Sequence, residues 1–120
     1  MPAYAVGHLR PSRPDEEVFT YMERVQGTLD AFGGRFIVHG ATVEVLEGTW
    51  PGTIVMIEFP GMDEARDWYR SSAYRELLPL RTRNLESAVI LVDGVGPDYD
   101  AAVTAARLRG ETARTGTTSG

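Results

Sequence analysis

The sequence contains no cysteine and no lysine, so all twelve of its basic residues are arginine. The missing cysteines exclude disulfides, thiolate metal ligands and cysteine nucleophiles, and the missing lysines exclude Schiff-base catalysis. The net charge of -5 and the lack of any basic run argue against nucleic-acid binding, which depends on neutralising phosphates. What is present, 120 residues with 42% hydrophobic content, is enough for one domain with one core.

Long apolar segments are also absent. No run approaches the length of a membrane span. The segment Met1–Tyr4 lacks the basic and apolar regions of a signal peptide. We therefore expect a cytoplasmic protein that has no membrane-embedded part.

Strand and helix patterns follow each other in the order β-α-β-(β)-β-α-β. A first helix begins near Pro14, and a second begins near Asp63 and breaks at Ser71-Ser72, where Ser72 caps a short continuation. The first carries an apolar stripe at helical spacing: Val18, Met22, Val25, Leu29 and Phe32. Strands are predicted over residues 3–9, 35–39, 53–59 and 85–93, with a short hairpin partner over 42–46.

Two βαβ halves of this kind predict an α+β fold of the ferredoxin-like type, βαββαβ, with an antiparallel sheet and two helices on one face. The domain is expected to cover residues 1–95. Residues 96–120 differ in composition and are expected to form a C-terminal extension, with a short helix over 98–109 and a flexible end.

The sheet is predicted to be apolar on both faces, because side chains alternate along each strand. The helix-covered face is expected to hold Val55, Ile57, Phe59, Ile90 and Val92, with small Ala5 and Gly7 allowing close helix approach. The other face is then expected to show Tyr4, Val6, Ile54, Met56, Val89 and Leu91.

Burying those six side chains is worth on the order of 10 kcal/mol, which is comparable to the stability of a whole domain. A second copy of the sheet is the simplest cover, and it predicts a homodimer. The alternative is that the helix over 98–109 folds back onto this face.

An ordered set of motifs carries a family resemblance over about residues 2–95. The motifs are Gly33-Gly34-Arg35-Phe36, Glu47-Gly48-Thr49-Trp50-Pro51, Val55-Met56-Ile57-Glu58-Phe59-Pro60, Ala65-Arg66-Asp67-Trp68-Tyr69, Ser72-Ala73-Tyr74 and Leu91-Val92-Asp93-Gly94. In these motifs the chain resembles the uncharacterised family called domain of unknown function 1330. That resemblance implies the dimeric α/β-barrel superfamily, in which two ferredoxin-like sheets pack face to face around a cavity. Its relatives include cofactor-free monooxygenases, muconolactone-isomerase-like proteins, haem chlorite dismutases and amino-acid-sensing regulator domains, so the resemblance implies a fold more than an activity. The chain departs from the family pattern at His39, where a basic residue is expected, and in the long tail after Gly96.

A charged group is expected at one end of the inter-sheet space. In the ferredoxin-like strand order, Glu58 lies between Tyr4 and Arg35. A carboxylate there must be paired or have a raised pKa. Glu58 is therefore either a general base or ligand anchor, or half of an Arg35–Glu58 ion pair that orders the interface.

Two histidines are expected at the opposite end of the same face. His8 and His39 would lie on the strands that flank Ile54, about 10 Å apart, which is too far to share a metal directly. Either imidazole could act as an acid or base, or both could be plain edge residues. Trp50 could line the site of an aromatic ligand or fill the barrel as a hydrophobic plug. The helical Tyr69 and Tyr74 could reach the cavity rim with their hydroxyls.

These residues favour a small cofactor-independent enzyme of the isomerase, cyclase or monooxygenase type, acting on an apolar or aromatic molecule between the sheets. His39 or Glu58 would be the catalytic base, and the substrate would contact Arg35, Trp50, Tyr69, His8 and Tyr4. No cofactor and no metal are expected. The alternatives are a non-catalytic binding or sensing dimer with the same pocket and a structural dimer with a filled interior.

Overall fold

The structure is a computed structural model that describes residues 1–10 and 15–115, with side chains described to residue 112. Its elements are β1 (Ala3–Arg10), α1 (Glu16–Leu29), a 3-10 turn (Asp30–Phe32), β2 (Arg35–Ala41), β3 (Thr53–Phe59), α2 (Met62–Arg70), α3 (Ser72–Thr82), β4 (Glu86–Asp93) and α4 (Ala101–Thr115). The predicted start of the first helix at Pro14 lies outside the described residues.

The four strands form one antiparallel sheet in the order β2-β3-β1-β4. This is the predicted ferredoxin-like arrangement, and the α+β prediction is confirmed. The predicted hairpin strand over 42–46 is wrong, because residues 42–52 form an irregular loop between β2 and β3. Gly52 closes that loop at φ 107°, where an added Cβ would lie 2.1 Å from the Leu9 carbonyl oxygen.

The helices α1, α2 and α3 cover one face of the sheet and enclose the core. Asp15 caps α1 by accepting a hydrogen bond from the Glu17 amide. Ser71, rather than the predicted Ser72, caps α3 after the break that separates it from α2. The largest fully buried side chains lie between these helices and the sheet: Leu29, Phe59, Trp68, Tyr74 and Leu77.

The predicted orientation of β4 is wrong. Ile90 pairs with Val6 and Val92 pairs with Tyr4 in the sheet register, and directly paired residues share a face. Both side chains therefore lie on the face without helices, where Ile90 is 54% exposed. Val89 and Leu91 occupy the helix-covered face instead. The strand has apolar residues on both of its faces, so the pattern of hydrophobic residues cannot determine which side chains point inward.

The sheet face without helices, called the open face below, is largely apolar. It presents Tyr4, Val6, Ile54, Met56, Ile90 and Val92. The C-terminal helix, predicted over 98–109 and found as α4, does not cover it, because Val103 and Leu108 of α4 are themselves 64% and 50% exposed. Within the described residues, no helix is both long and apolar enough to cross a membrane.

Candidate functional site

A cavity of about 350 Å³ lies between α1 and the helix-covered face of the sheet. Pockets that hold small organic ligands begin at about this volume. The walls are mainly apolar side chains of β1, β3, β4 and α1, among them Leu9, Val18, Val25, Val55, Ile57 and Val89. The cavity therefore lies within one protomer, on the side of the sheet opposite to the predicted inter-sheet space.

Small residues at the centre of β1 leave the room for this cavity. A Cβ added to Gly7 would meet its nearest neighbours, in Leu9 and Val55, at 3.8 Å, which is ordinary van der Waals contact. The sequence predicts that Ala5 and Gly7 bring a helix close to the sheet. At Gly7 that prediction is wrong, because the missing side chain is replaced by part of the cavity.

The apolar stripe of α1 forms one wall and leaves it partly open. Val25 and Leu29 are buried in the core as predicted. Met22 of the stripe and its neighbour Phe19 line the cavity but are nearly half exposed. The C-terminal end of the stripe thus packs in the core, and its N-terminal end lines the mouth of the cavity.

His39 lies on the cavity wall. The sequence predicts it on the open face with His8, and that prediction is wrong. It pairs with Val55 of the helix-covered face, and its ring stacks on Phe36 with 4.7 Å between centroids. The physical reason is a β-bulge between Phe36 and Val38, which adds a residue to β2 and reverses the facing of the side chains that follow.

Glu58 and Arg35 lie together on the open face, as expected from the strand order. Arg35 Nε and Nη2 lie 3.0 and 2.9 Å from Glu58 Oε1. Tyr4 is the register partner of Glu58 on the other side. None of the three lines the cavity, so Glu58 cannot act on a ligand bound there, and its role at an inter-sheet site stays a prediction.

His8 and Trp50 form a separate cluster at the far end of the open face. Their rings lie 4.8 Å apart. His8 Nε2 donates to the Pro51 carbonyl oxygen, because a carbonyl can only accept. This bond requires the proton on Nε2 and ties the loop before β3 to β1.

Tyr69 packs among the helices rather than at the cavity rim. Its ring contacts Tyr74 at 5.6 Å, and the Arg75 guanidinium lies 5.3 Å above it. It is not among the residues that line the cavity. Tyr74, the other tyrosine expected at a cavity rim, does line this cavity. A contact of Tyr69 with a ligand between two sheets stays a prediction.

A polar cluster beside the cavity contains Tyr74, which the sequence points to, and Tyr21 and Arg81, which it does not. Tyr21 Oη and Tyr74 Oη lie 2.8 Å apart, and both residues line the cavity. Arg81 Nη2 lies 3.5 Å from Tyr74 Oη, and Arg81 Nη1 lies 2.5 Å from Ser87 Oγ. Burial, and then the neighbouring Tyr74, raise the pKa of Tyr21, which keeps its hydroxyl protonated.

Arg81 is the unusual member of this cluster. Only 5% of the residue is exposed, and no carboxylate forms an ion pair with it within the described part of the chain. A sequence signal existed: Arg81 interrupts an apolar helical stripe at the i, i+3, i+4, i+7 positions 74, 77, 78 and 81. In the described ranges, no group of three His, Asp or Glu side chains is arranged to hold a metal ion.

Three solved structures that this chain resembles are described as proteins of unknown function. A protein of unknown function from Rhodopseudomonas palustris is 21% identical, with 80% of this chain and 84% of that chain covered and a TM-score of 0.62. A dimeric ferredoxin-like protein of unknown function from Jannaschia sp. CCS1 is 9% identical, with 78% and 100% covered and a TM-score of 0.64. Another from Thermobifida fusca YX is 15% identical, with 78% and 92% covered and a TM-score of 0.55. At these identities the likeness shows the fold alone.

No curated protein matches the chain. The family described as Domain of unknown function (DUF1330) matches residues 2–95, which include every strand of the sheet and the helices α1, α2 and α3. The chain therefore belongs to the DUF1330 family.

Proposed function

We propose that this protein is a homodimer that binds a small apolar or aromatic organic molecule in the cavity between α1 and the sheet. The observation that carries the proposal is the cavity itself. It is large enough for a ligand of a few fused rings, is lined mostly by apolar side chains and opens beside α1. An apolar pocket with a few convergent polar groups is the usual form of a small-molecule site.

The dimer part of the proposal rests on the open face. Six mainly apolar side chains there lack a cover from α4, and an exposed patch of this kind marks an interaction surface. Two of the structural relatives, from Jannaschia and Thermobifida, are described as dimeric. On this proposal, residues 1–95 form the domain that dimerises and residues 96–120 form an extension outside it.

The second candidate function is catalysis in the same cavity, and His39 favours it. Its imidazole lies on the wall of an apolar pocket, where it could take a proton from a bound carbon acid or return one. A cofactor-independent isomerase, cyclase or monooxygenase would use such a base. Glu58 is withdrawn as the base for a ligand in this cavity, because it lies on the opposite face of the sheet.

The binding proposal is tested by filling the cavity from β1. Gly7→Ile places a branched side chain into the space above the strand, and we expect it to abolish the binding of naphthalene. Tryptophan fluorescence measures this binding, because Trp68 lines the cavity. The matched control is Gly27→Ala, at a position on α1 where an added Cβ meets nothing within 4 Å. Unchanged naphthalene binding by Gly7→Ile would contradict the cavity as the binding site.

Once a substrate is known, His39→Gln distinguishes the enzyme from the non-catalytic binding module. Acid–base residues typically contribute on the order of 10²–10⁴-fold to rate, so an enzyme loses that factor in kcat while retaining binding. If the protein is a non-catalytic binding module, neither the wild type nor His39→Gln turns over the ligand, and the affinity of the variant stays within about threefold of the wild type.

A further inference from the structure

The polar cluster of Tyr21, Tyr74 and Arg81 gives the cavity one chemically distinct end. Tyr21 and Tyr74 both line the cavity, and Arg81 contacts the Tyr74 hydroxyl from outside the lining. We infer that this cluster recognises an oxyanion on the ligand, with the Tyr21 hydroxyl as the donor. The inference rests on the proposed binding function of the cavity and names the class of ligand that it takes.

The direction of the hydrogen bonds follows from the chemistry of arginine. A guanidinium has only donors, so Tyr74 Oη accepts from Arg81. Tyr74 is 2% exposed, and its own hydroxyl proton has Tyr21 Oη as its hydrogen-bond partner within the described residues. A buried hydroxyl proton without an acceptor is costly, so Tyr74 donates to Tyr21.

This direction leaves the Tyr21 proton for a ligand. Tyr21 Oη already accepts from Tyr74, and no acceptor for its own proton lies among its hydrogen-bond contacts in the described residues. Arg81 donates to Tyr74, Tyr74 donates to Tyr21, and Arg81 also interacts directly with the Tyr21 hydroxyl, so both hydroxyls are polarised in the same sense. The last donor is therefore strengthened towards a negatively charged acceptor.

The positive charge of Arg81 also favours a negatively charged ligand at the Tyr21 hydroxyl. Its guanidinium lies 5.8 Å from the centre of the Tyr21 ring, and within the described residues its polar partners are the hydroxyls of Ser87, Tyr74 and Tyr21 rather than a carboxylate. A buried charge is strongly unfavourable unless it is compensated. A ligand oxyanion at the Tyr21 hydroxyl supplies the missing negative charge in a low-dielectric site, where the attraction is strong.

The ligand class is an apolar, aromatic-sized molecule that carries a carboxylate, a phenolate or an enolate oxygen. Tyr21 contacts the ligand, whereas Tyr74 and Arg81 are positioning residues that act through it. For a reaction at this site, the same donor would stabilise an enolate as charge develops on the substrate oxygen.

The test compares naphthalene with 2-naphthoate, which shares its rings and adds the oxyanion. Fluorescence titrations are performed on the wild type, Tyr21→Phe and Tyr74→Phe. The matched control is Tyr99→Phe, which removes an exposed tyrosine hydroxyl away from the cavity lining. If Tyr74→Phe does not fold, Tyr21→Phe is sufficient for the test, because it keeps the aromatic ring and removes the hydroxyl of a partly exposed residue.

The wild type is expected to bind 2-naphthoate about tenfold or more tightly than naphthalene, the range of a hydrogen bond to a charged group. Tyr21→Phe is expected to reduce that preference to about twofold by weakening the binding of 2-naphthoate more than that of naphthalene. Tyr74→Phe is expected to reduce the preference in part, and Tyr99→Phe to retain it.

Two results overturn the inference: equal affinity of the wild type for both ligands, or a Tyr21→Phe loss that is the same for both. If both ligands bind without preference and Gly7→Ile blocks both, the cavity function stands and only the oxyanion inference fails. If neither ligand binds to the wild type, the cavity function fails and the inference fails with it.

Discussion

The two faces of one small sheet differ in what lies against them. The helix-covered face combines a closed core with a cavity that ends in a Tyr21–Tyr74–Arg81 cluster. The open face is a flat, mainly apolar surface with an Arg35–Glu58 pair at one end and His8 with Trp50 at the other. Both faces are apolar by sequence, and in the described part of the chain the cavity lies against the first. On the proposed function, ligand binding belongs to the helix-covered face and self-association to the open face.

The largest expected effect is on stability, when a large side chain on each face is shortened to alanine. Leu29→Ala, at a position with no exposed surface, should lower the free energy of unfolding by about 2–5 kcal/mol at any protein concentration. Ile90→Ala on the open face should destabilise only the dimer, so its effect should shrink as the protein is diluted. Denaturant unfolding at two protein concentrations measures both. A concentration-independent loss for Ile90→Ala would mean that its cover comes from its own chain.

The next prediction concerns assembly. Val6 pairs with Met56 on one side and Ile90 on the other, at the centre of the open face. Val6→Arg buries an unpaired charge in a dimer, at a cost of about 3–5 kcal/mol, and should give a monomer in sedimentation analysis. Val103→Arg on the exposed surface of α4 is the control and should leave the dimer intact. A dimer that survives Val6→Arg would place the interface elsewhere.

A smaller effect of opposite sign is expected on the helix-covered face. Gly7→Ile adds buried apolar carbons to a cavity and a β-branched residue to a strand, and should stabilise the protein by about 1–2 kcal/mol. Thermal unfolding should show a rise of several degrees. A marked loss of stability would mean that the space above Gly7 is already filled.

The smallest effect is a pH dependence of stability at the start of α1. Hydrogen bonds from Arg83 and Asn84 lower the pKa of Glu17 from its ordinary 4.5. The unfolded state therefore binds the proton more readily, so this interaction stabilises the fold above about pH 4.5 and is lost as the pH falls further. Wild type and Glu17→Gln should differ in melting temperature near neutral pH and converge towards about pH 3. A constant difference across that range would contradict the assignment.

The sequence predicts the order of the elements and the facing of β1, because small residues alternate there with larger ones. It also predicts the facing of β3, because the charged Glu58 favours the face away from the core and Ile57 and Phe59 then point inward. It fails at β4, where Val89, Ile90, Leu91 and Val92 give no alternation to read. It fails at His39, because the bulge in β2 has no signature in composition or spacing.

The candidate site could be predicted only in part. Arg35, Glu58 and Tyr4 follow from strand order, since each lies in a regular register. The cavity depends on the absence of a side chain at Gly7, which the sequence also permits as a close helix contact. Arg81 is visible as an interruption of an apolar stripe, but its pairing with Tyr21 on another helix depends on how α1 packs against α3.

Binding of 2-naphthoate to Gly7→Ile and Val6→Arg, measured beside the wild type with the oligomeric state recorded, tests most directly whether the two faces have separate functions. Gly7→Ile is expected to remain a dimer and lose binding, while Val6→Arg is expected to become a monomer and retain it. Binding lost by Val6→Arg and retained by Gly7→Ile would contradict the account, because it would place the ligand between two sheets.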